Sequence, residues 1–401
     1  MSEQHRPRRA RGGAVPPSPP ASAPAPAQAE DPAPRPGRRK RIILISLAVL
    51  ATLLLIGGIV AYSYVNRLQT VFEEERNVIE ELDDLDDDTA YRTPEGTVNV
   101  LLLGSDSRGE DDTDYRAQTG EEGERSDAMM LVHIPEDRSG IYVMSIMRDL
   151  WVEIPGQGEG RINTALSAGG LDLAVDTVED LLYTHIDHVV TINFDGFEDL
   201  TTALGGVYVD NPRPFAAGQQ NPAFYPEGTI RLQGSDALRF VRERKSFPTN
   251  DHVRVENQQL VMRAIAERFL SGDTLTNPQR IFAVLEAILP YMEMDGGLDA
   301  NTIVGYGLDM THMRGRDIHT FTMPSGEPHT TSGGAQVILP DEDMMDLLRR
   351  SLSSENMSGF VRYTEALDPD SAGGAFTVSE DDDELSRQLG RQLGESLDGE
   401  E

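Results

Sequence analysis

An uncharged run of 25 residues, Ile42 to Asn66, constrains this chain more than any other feature. It is rich in Leu, Ile, Ala and Val. As a helix it spans about 30 Å of hydrocarbon with some tilt. Tyr62 and Tyr64 stand near its far end, where interfacial aromatics belong. Arg38-Arg39-Lys40-Arg41 precede it, and an acidic run from Glu73 to Asp88 follows. That charge step predicts a cytoplasmic N-terminus and a body outside the membrane. A cleaved signal peptide is the rival reading, with Ala61-Tyr62-Ser63 as a passable cleavage site. Its apolar core would be shorter, so the uncleaved anchor is preferred.

The charge is uneven. The whole chain carries −33, while residues 1–41 hold nine Arg/Lys against three Asp/Glu, leaving −39 on the rest. A body so acidic repels nucleic-acid phosphates. With no cysteine there is no disulfide, thiolate metal site or cysteine nucleophile. The only lysines are Lys40 and Lys245, and neither follows the glycine pattern of a P-loop.

Five segments are expected. Residues 1–41 read as a disordered basic arm, 42–66 as the membrane helix, and 67–96 as an acidic stalk and linker. Residues 97–352 read as the folded domain, and 353–401 as a disordered acidic tail. Within the domain, Val98–Leu103, Met129–Ile134, Ile141–Ile146, Val189–Phe194, Val207–Val209, Ile318–Met323 and Val337–Leu339 read as strands. Leu171–Tyr183, Phe197–Leu204, Ser235–Arg244, Val253–Leu270, Pro278–Met292, Asn301–Met310 and Asp341–Leu352 read as helices. The alternation gives an α/β class, a central mixed β-sheet flanked by helices.

Four polar clusters interrupt these apolar elements: Gly104–Arg108, Arg125-Ser126-Asp127, Arg148-Asp149, and a set from Arg239 to Gln259. Asp106, Asp127 and Arg148 fall at strand ends, where α/β folds bind ligands, so they predict one shared rim. Asp251, Arg254 and Gln258 are spaced i, i+3, i+7, on one helical face. Arg242 and Arg244 are two apart and cannot share a helical face: either the helix ends there or one points elsewhere. Paired carboxylates suit Mg²⁺, and arginines grip phosphate bidentately. Together they describe a phosphate or pyrophosphate site, against the alternative of ordinary surface ion pairs. His185-Ile-Asp-His188 lacks zinc-motif spacing and reads as loop or core. Gly156-x-Gly-x-Gly160 reads as a turn, and Leu102-Leu103 and Met129-Met130 as strand core.

The motifs Asn99-Val-Leu-Leu-Leu-Gly-Ser-Asp-Ser-Arg108, Arg125-Ser-Asp-Ala-Met-Met-Leu-Val-His133, Ser145-Ile-Met-Arg-Asp149 and Ala237-Leu-Arg-Phe-Val-Arg-Glu-Arg244, with Asp251-x-x-Arg254-x-x-x-Gln258-Gln259, resemble the LytR–CpsA–Psr family. The match covers about 97–272 and, more loosely, the chain to about 352. The resemblance implies a single-pass membrane protein with its domain outside the cell. The implied activity is a phosphotransferase that moves a glycopolymer from a polyprenyl-pyrophosphate carrier onto peptidoglycan. It implies Mg²⁺ at Asp106 and Asp127, and pyrophosphate at Arg125, Arg148, Arg242, Arg244 and Arg254, with Asp251 and Gln258 beside them. The general base is Asp251 or one of the metal-side carboxylates. Two activities stay open beside transfer: pyrophosphate hydrolysis, and a non-catalytic regulatory protein that binds lipid or wall polymer. Asn163, Gly169-Gly170 and Phe194-Asp195-Gly196 also match; the first two read as structural and Asp195 as a helix cap. The departures are Met147 in place of the usual Pro, Asn257 in place of an Arg, and an acidic insertion from Glu110 to Glu124. None removes an implied ligand.

Overall fold

A computed structural model describes residues 91–105, 126–218, 222–244, 246–247, 250–275 and 277–367, with parts of 63–82. In chain order the elements are β1 (Asn77–Val78), β2 (Val98–Ser105), β3 (Ser126–Ile134), β4 (Ile141–Ile146), β5 (Trp151–Ile154), β6 (Gly158–Arg161), α1 (Asn163–Leu182), β7 (His188–Ile192), α2 (Phe194–Ala203), β8 (Val207–Asn211), β9 (Phe215–Ala217), β10 (Ala223–Tyr225) and β11 (Gly228–Leu232). There follow α3 (Ser235–Arg242), α4 (Asn250–Phe269), α5 (Pro278–Ile288), β12 (Met292–Met294), α6 (Ala300–Asp309), β13 (Ile318–Thr322), β14 (Ser325–Thr330), β15 (Gln336–Pro340), α7 (Glu342–Ser353) and α8 (Met357–Leu367).

The seven-stranded central sheet runs β1-β12-β7-β2-β3-β4-β13. The β2–β7, β4–β13 and β1–β12 pairs are parallel, and the others antiparallel. Side chains alternate across it, as the pleat requires. Leu101, Leu103, Leu131 and Met144 enter one core with Val178, Leu182, Leu348 and Phe360 of α1, α7 and α8. Met130, Val143 and Ile318 enter another on the opposite face, against Met262 of α4 and Tyr306 of α6. β4 is buried at all six positions, so it reads as an unbroken apolar run.

Several boundaries differ from the sequence expectation. The tail expected from Ser353 is folded as far as Leu367, because α8 packs Phe360 (0 % exposed) and Tyr363 into the first core. Phe360 also lies 5.6 Å from the Phe321 ring. The stalk expected over 67–96 contributes to the fold: Phe72 is buried, and Asn77-Val78 pairs with Glu293-Met294 at the sheet edge. The helix expected over Pro278–Met292 stops at Ile288. Pro290, which has no N–H to donate, sits in a 3₁₀ turn, and the chain then enters β12. Asp195 is not the cap of α2. Asn193 Oδ1 accepts from Gly196 N at 2.9 Å, and Asp195 stands in the first turn. Gly169-Gly170 breaks α1, with Gly170 at φ 74°, a conformation that favours glycine. Among the described residues no helix is long and apolar enough to cross a membrane. The run 42–66 lies, but for Ser63 and Asn66, outside them, as do residues 1–41 and 368–401.

Truncation tests the α8 correction. Phe360→Ala should cost about 3–5 kcal/mol in urea unfolding. Ending the chain at Ser353 should destabilise it comparably, whereas loss of a solvated tail would leave the midpoint unchanged.

Three buried histidines have structural partners. His133 is fully buried, with Nδ1 2.8 Å from Asn99 Oδ1, and burial pushes it down to about 4. The unfolded chain takes up this proton below about pH 6.5, and the native chain does not. Stability is therefore fully present above about 6.5. It falls by about 3 kcal/mol as the pH drops toward 4. Urea midpoints measured between pH 7 and 4.5 should show this slope, and His133→Asn should reduce it. His185 Nδ1 lies 2.8 Å from Glu179, and His188 bridges Asp295 and the Tyr306 hydroxyl, in keeping with their reading as loop and core.

Candidate functional site

The site follows from two rows of side chains on one face of the sheet. Val190, Leu102 and Met130 are cross-strand neighbours on β7, β2 and β3. Met292, Ile192, Gly104 and Ala128 make the next row, nearer the C-terminal end of β2. Both rows line a cavity of about 350 Å³. Phe194, Phe197 and Leu200 of α2, Leu238 and Val241 of α3, Met262 of α4 and Ile288 of α5 cover it. The row nearer the strand end carries the two smallest side chains, Gly104 and Ala128. A Cβ on Gly104 would meet Ala128 Cβ at 3.1 Å, so even alanine at 104 would crowd its cross-strand neighbour.

Four polar side chains line the same cavity: Arg242, Arg244, Arg254 and Gln258. Arg254 and Gln258 are four apart on α4, with Met262 four further on, so one helical face runs from polar to apolar. Arg254 is 3 % exposed and keeps its charge whatever the pH. In surroundings of low polarizability its attraction for an anion is stronger than in water. The question of Arg242 and Arg244 is settled by backbone. α3 ends at Arg242, and Glu243 is extended at φ −68°, ψ 129°. In extended chain, residues two apart point the same way, and both arginines reach the cavity. The Arg242 guanidinium lies 4.1 Å from the Phe194 ring centroid, a cation–π contact that fixes its place.

Gln259 turns away from the cavity. Its Nε2 donates to Ser145 Oγ at 3.1 Å and Thr322 Oγ1 at 2.9 Å. That fastens α4 to β4 and β13 and so sets where Arg254 stands. Sequence reasoning grouped the two glutamines; only their 100° separation on the helix divides their roles.

The expected rim is present in the backbone. β2 ends where β3 begins, with Ser105 paired to Ser126, and Ile146 at the end of β4 is paired to Met129. Between Gly104↔Ala128 and Ser105↔Ser126 the register shifts, which leaves Asp127 as the extra residue of a bulge. Bulges re-aim side chains at sheet edges. Asp106 and Arg125 lie outside the described residues, as do the side chains of Asp127 and Asp251. Arg148 sits just past β4 on the same edge, its Nε 3.5 Å from Asp149, and is not among the cavity-lining residues. Gly156 and Gly158 have positive φ in the β5–β6 hairpin, as a turn requires.

A model of the LytR_cpsA_psr family matches residues 61–353. The chain belongs to this family. The match begins before Thr97, consistent with β1 being part of the sheet. Among LytR–CpsA–Psr relatives, the polyisoprenyl-teichoic acid–peptidoglycan teichoic acid transferase TagU of Bacillus mycoides is 33 % identical over 251 residues, covering 60 % of this chain and 78 % of that protein. The crystal structure of Bacillus subtilis TagV superposes with a TM-score of 0.56 at 25 % identity, covering 66 % of this chain and 98 % of that one. A LytR-Csp2A-Psr enzyme from Actinomyces oris shares the fold, with a TM-score of 0.52, 21 % identity, and coverage of 65 % and 92 %.

For a metal, the candidate donors from the sequence are two aspartates, Asp106 and Asp127. Asp127 is in the bulge, and Asp106 directly follows Ser105 in sequence. Among the described residues no group of three or more His, Cys, Asp or Glu is placed to hold an ion. One or two carboxylates with waters and phosphate oxygens completing the shell is the donor chemistry that Mg²⁺ takes, and the two aspartates are of that type.

Proposed function

We propose that this chain is a membrane-anchored phosphotransferase that moves a glycopolymer from a polyprenyl-pyrophosphate carrier onto peptidoglycan. One observation carries the reading: an apolar cavity opens onto three arginines and a glutamine. A polyprenyl tail is an apolar chain ending in a charged pyrophosphate, and the cavity has that same polarity. The name of the Bacillus mycoides relative, a teichoic acid transferase, supports a wall polymer as cargo.

In this mechanism Arg242, Arg244 and Arg254 bind the pyrophosphate oxygens, and Arg125 and Arg148 add charge from the strand-end rim. Gln258 donates a further hydrogen bond. Asp106 and Asp127 would hold Mg²⁺, which when bound neutralises phosphate oxygens. A sugar hydroxyl of peptidoglycan attacks the glycopolymer-side phosphorus. A new P–O bond forms, the bridging P–O bond to the lipid phosphate breaks, and polyprenyl phosphate leaves. The hydroxyl proton passes to a carboxylate; Asp251, at the start of α4, or one of the rim aspartates takes it. Positioning and charge neutralisation supply most of the rate, as phosphoryl transfer requires. The N-terminus lies in the cytoplasm, and residues 42–66 anchor the outer domain. Reporter fusions after Asn66 and at the C-terminus should both read as exported.

The decisive assay incubates the full chain in detergent with lipid-linked glycopolymer and peptidoglycan. Wall-bound polymer and polyprenyl monophosphate are the expected products. Polymer released to water regardless of peptidoglycan would make the chain a pyrophosphatase. Donor binding without turnover would make it a regulatory binder. Asp106→Ala and Asp127→Ala should each lower turnover about 100-fold or more without shifting the melting temperature, and chelator should do the same. Full turnover in excess chelator would remove the metal from the mechanism.

A further inference from the structure

Arg148 stands on a turn that several elements hold at once. Leu150 N closes it by donating to Met147 O at 2.9 Å. Asn163 N, at the start of α1, donates to Arg148 O at 3.3 Å, and Ile338 N of β15 donates to Asp149 O at 3.0 Å. Three successive carbonyls are thus fixed by three separate donors. Met147 is 1 % exposed, and the Ser325 hydroxyl donates to its sulfur at 3.5 Å. Methionine lacks the locked φ that a proline at this position would supply, and these contacts fix the turn instead.

The side chains continue the pattern. Asp149 lies between two guanidiniums. Its Oδ2 is 3.5 Å from Arg148 Nε, and its Oδ1 is 3.5 Å from Arg161 Nε. Arg161 in turn donates from Nη2 to the Gln336 carbonyl at 2.9 Å. Its backbone is paired with Trp151 across the β5–β6 hairpin. A line of contacts therefore runs from β15 through Arg161 and Asp149 to Arg148. Charge alone gives no reason for a carboxylate beside an arginine that is to meet phosphate, because the carboxylate repels the ligand. Orientation does give one. A mobile arginine loses much rotamer freedom when it binds, and one already held loses less. The Arg148, Asp149 and Arg161 side chains are 19, 26 and 37 % exposed, and ion pairs open to solvent contribute little to stability. The fold therefore does not depend on them.

We infer that Asp149 and Arg161 are positioning residues for the transfer reaction. Arg161 holds Asp149, and Asp149 holds the Arg148 guanidinium at the strand-end rim before the donor arrives. The inference rests on the phosphotransferase reading above.

Steady-state transfer by the full chain in detergent tests it, with lipid-linked glycopolymer varied at fixed peptidoglycan. Asp149→Asn and Arg161→Gln should each lower kcat by about 10- to 30-fold. Donor KM should hold in Arg161→Gln and hold or fall in Asp149→Asn, where a repelling charge is gone. Both variants should melt with the wild type. On an Arg148→Lys background, Asp149→Asn should cost less than about twofold more, because the guanidinium it held is absent. An unchanged kcat in either single variant overturns the inference, as does a full additional loss on the Arg148→Lys background. A raised donor KM with kcat intact in Arg161→Gln would make Arg161 a direct phosphate ligand and overturn its positioning role. A loss of turnover that tracks a fall in melting temperature would make the cluster a support of the fold and also overturn it. Absence of transfer by the wild type overturns the phosphotransferase reading and this inference with it.

Discussion

Arg254→Lys should lower transfer by about 10²- to 10³-fold while the protein still folds. The residue combines three properties that no other cavity-lining cation combines. It is almost fully buried, it sits on the long helix fastened to the sheet through Gln259, and it faces a cavity whose other walls are mostly carbon. Lysine keeps the charge but loses the planar fork that meets two phosphate oxygens at once. Because the interaction is made with a charge that shifts during transfer, turnover should fall more than donor affinity. A thermal-shift titration with a polyprenyl-pyrophosphate analogue separates binding from folding. Wild type should gain stability from the ligand by linkage, and Arg254→Lys and Arg244→Lys should gain much less. An unchanged ligand-induced shift in Arg254→Lys would mean that the guanidinium serves only the fold.

Strand and helix placement was legible because the central strands are apolar on both faces and the covering helices keep a 3.6-residue period. The rim was legible because polar clusters interrupt these runs at the ends of β2 and β4 and the start of β3. Arg242 and Arg244 posed a question that spacing alone could not answer, since the end of α3 at Glu243 is a matter of two dihedral angles. The cavity was not legible. Leu102 and Met130 line it while Leu101 and Met129 pack into the opposite core, and all four are ordinary strand residues. Whether an apolar side chain meets another side chain or an open space depends on how far the helices above it stand off. Composition hid α8 as well: Ser354, Glu355 and Asn356 look like the start of an acidic tail, and only Phe360 and Tyr363 signal a buried face. Asn77-Val78 is two residues long, too short for any alternation to be seen.

The cavity that the sequence concealed is where a small change should have a large and selective effect. Ala128→Leu places three extra heavy atoms in the row that includes Gly104, on the strand-end side of the cavity. The side chain would project into open volume lined by Ile192, Val241 and Met262, so the apolar contact it gains should hold the melting temperature at or slightly above the wild-type value. The donor's tail would lose that space. Each excluded methylene forfeits about 0.8 kcal/mol, and displacing three or four of them weakens donor binding by about 3 kcal/mol, roughly 100-fold. Inorganic pyrophosphate, which has no tail, should bind wild type and variant alike, because Arg242, Arg244 and Arg254 are untouched. Three readings by titration calorimetry check this: a prenyl donor on wild type, the same donor on Ala128→Leu, and pyrophosphate on both. If the variant folds and takes the prenyl donor as tightly as wild type does, the tail does not enter between β2, β3 and the helices of this face. The arginines would then be gripping a ligand that reaches them from outside.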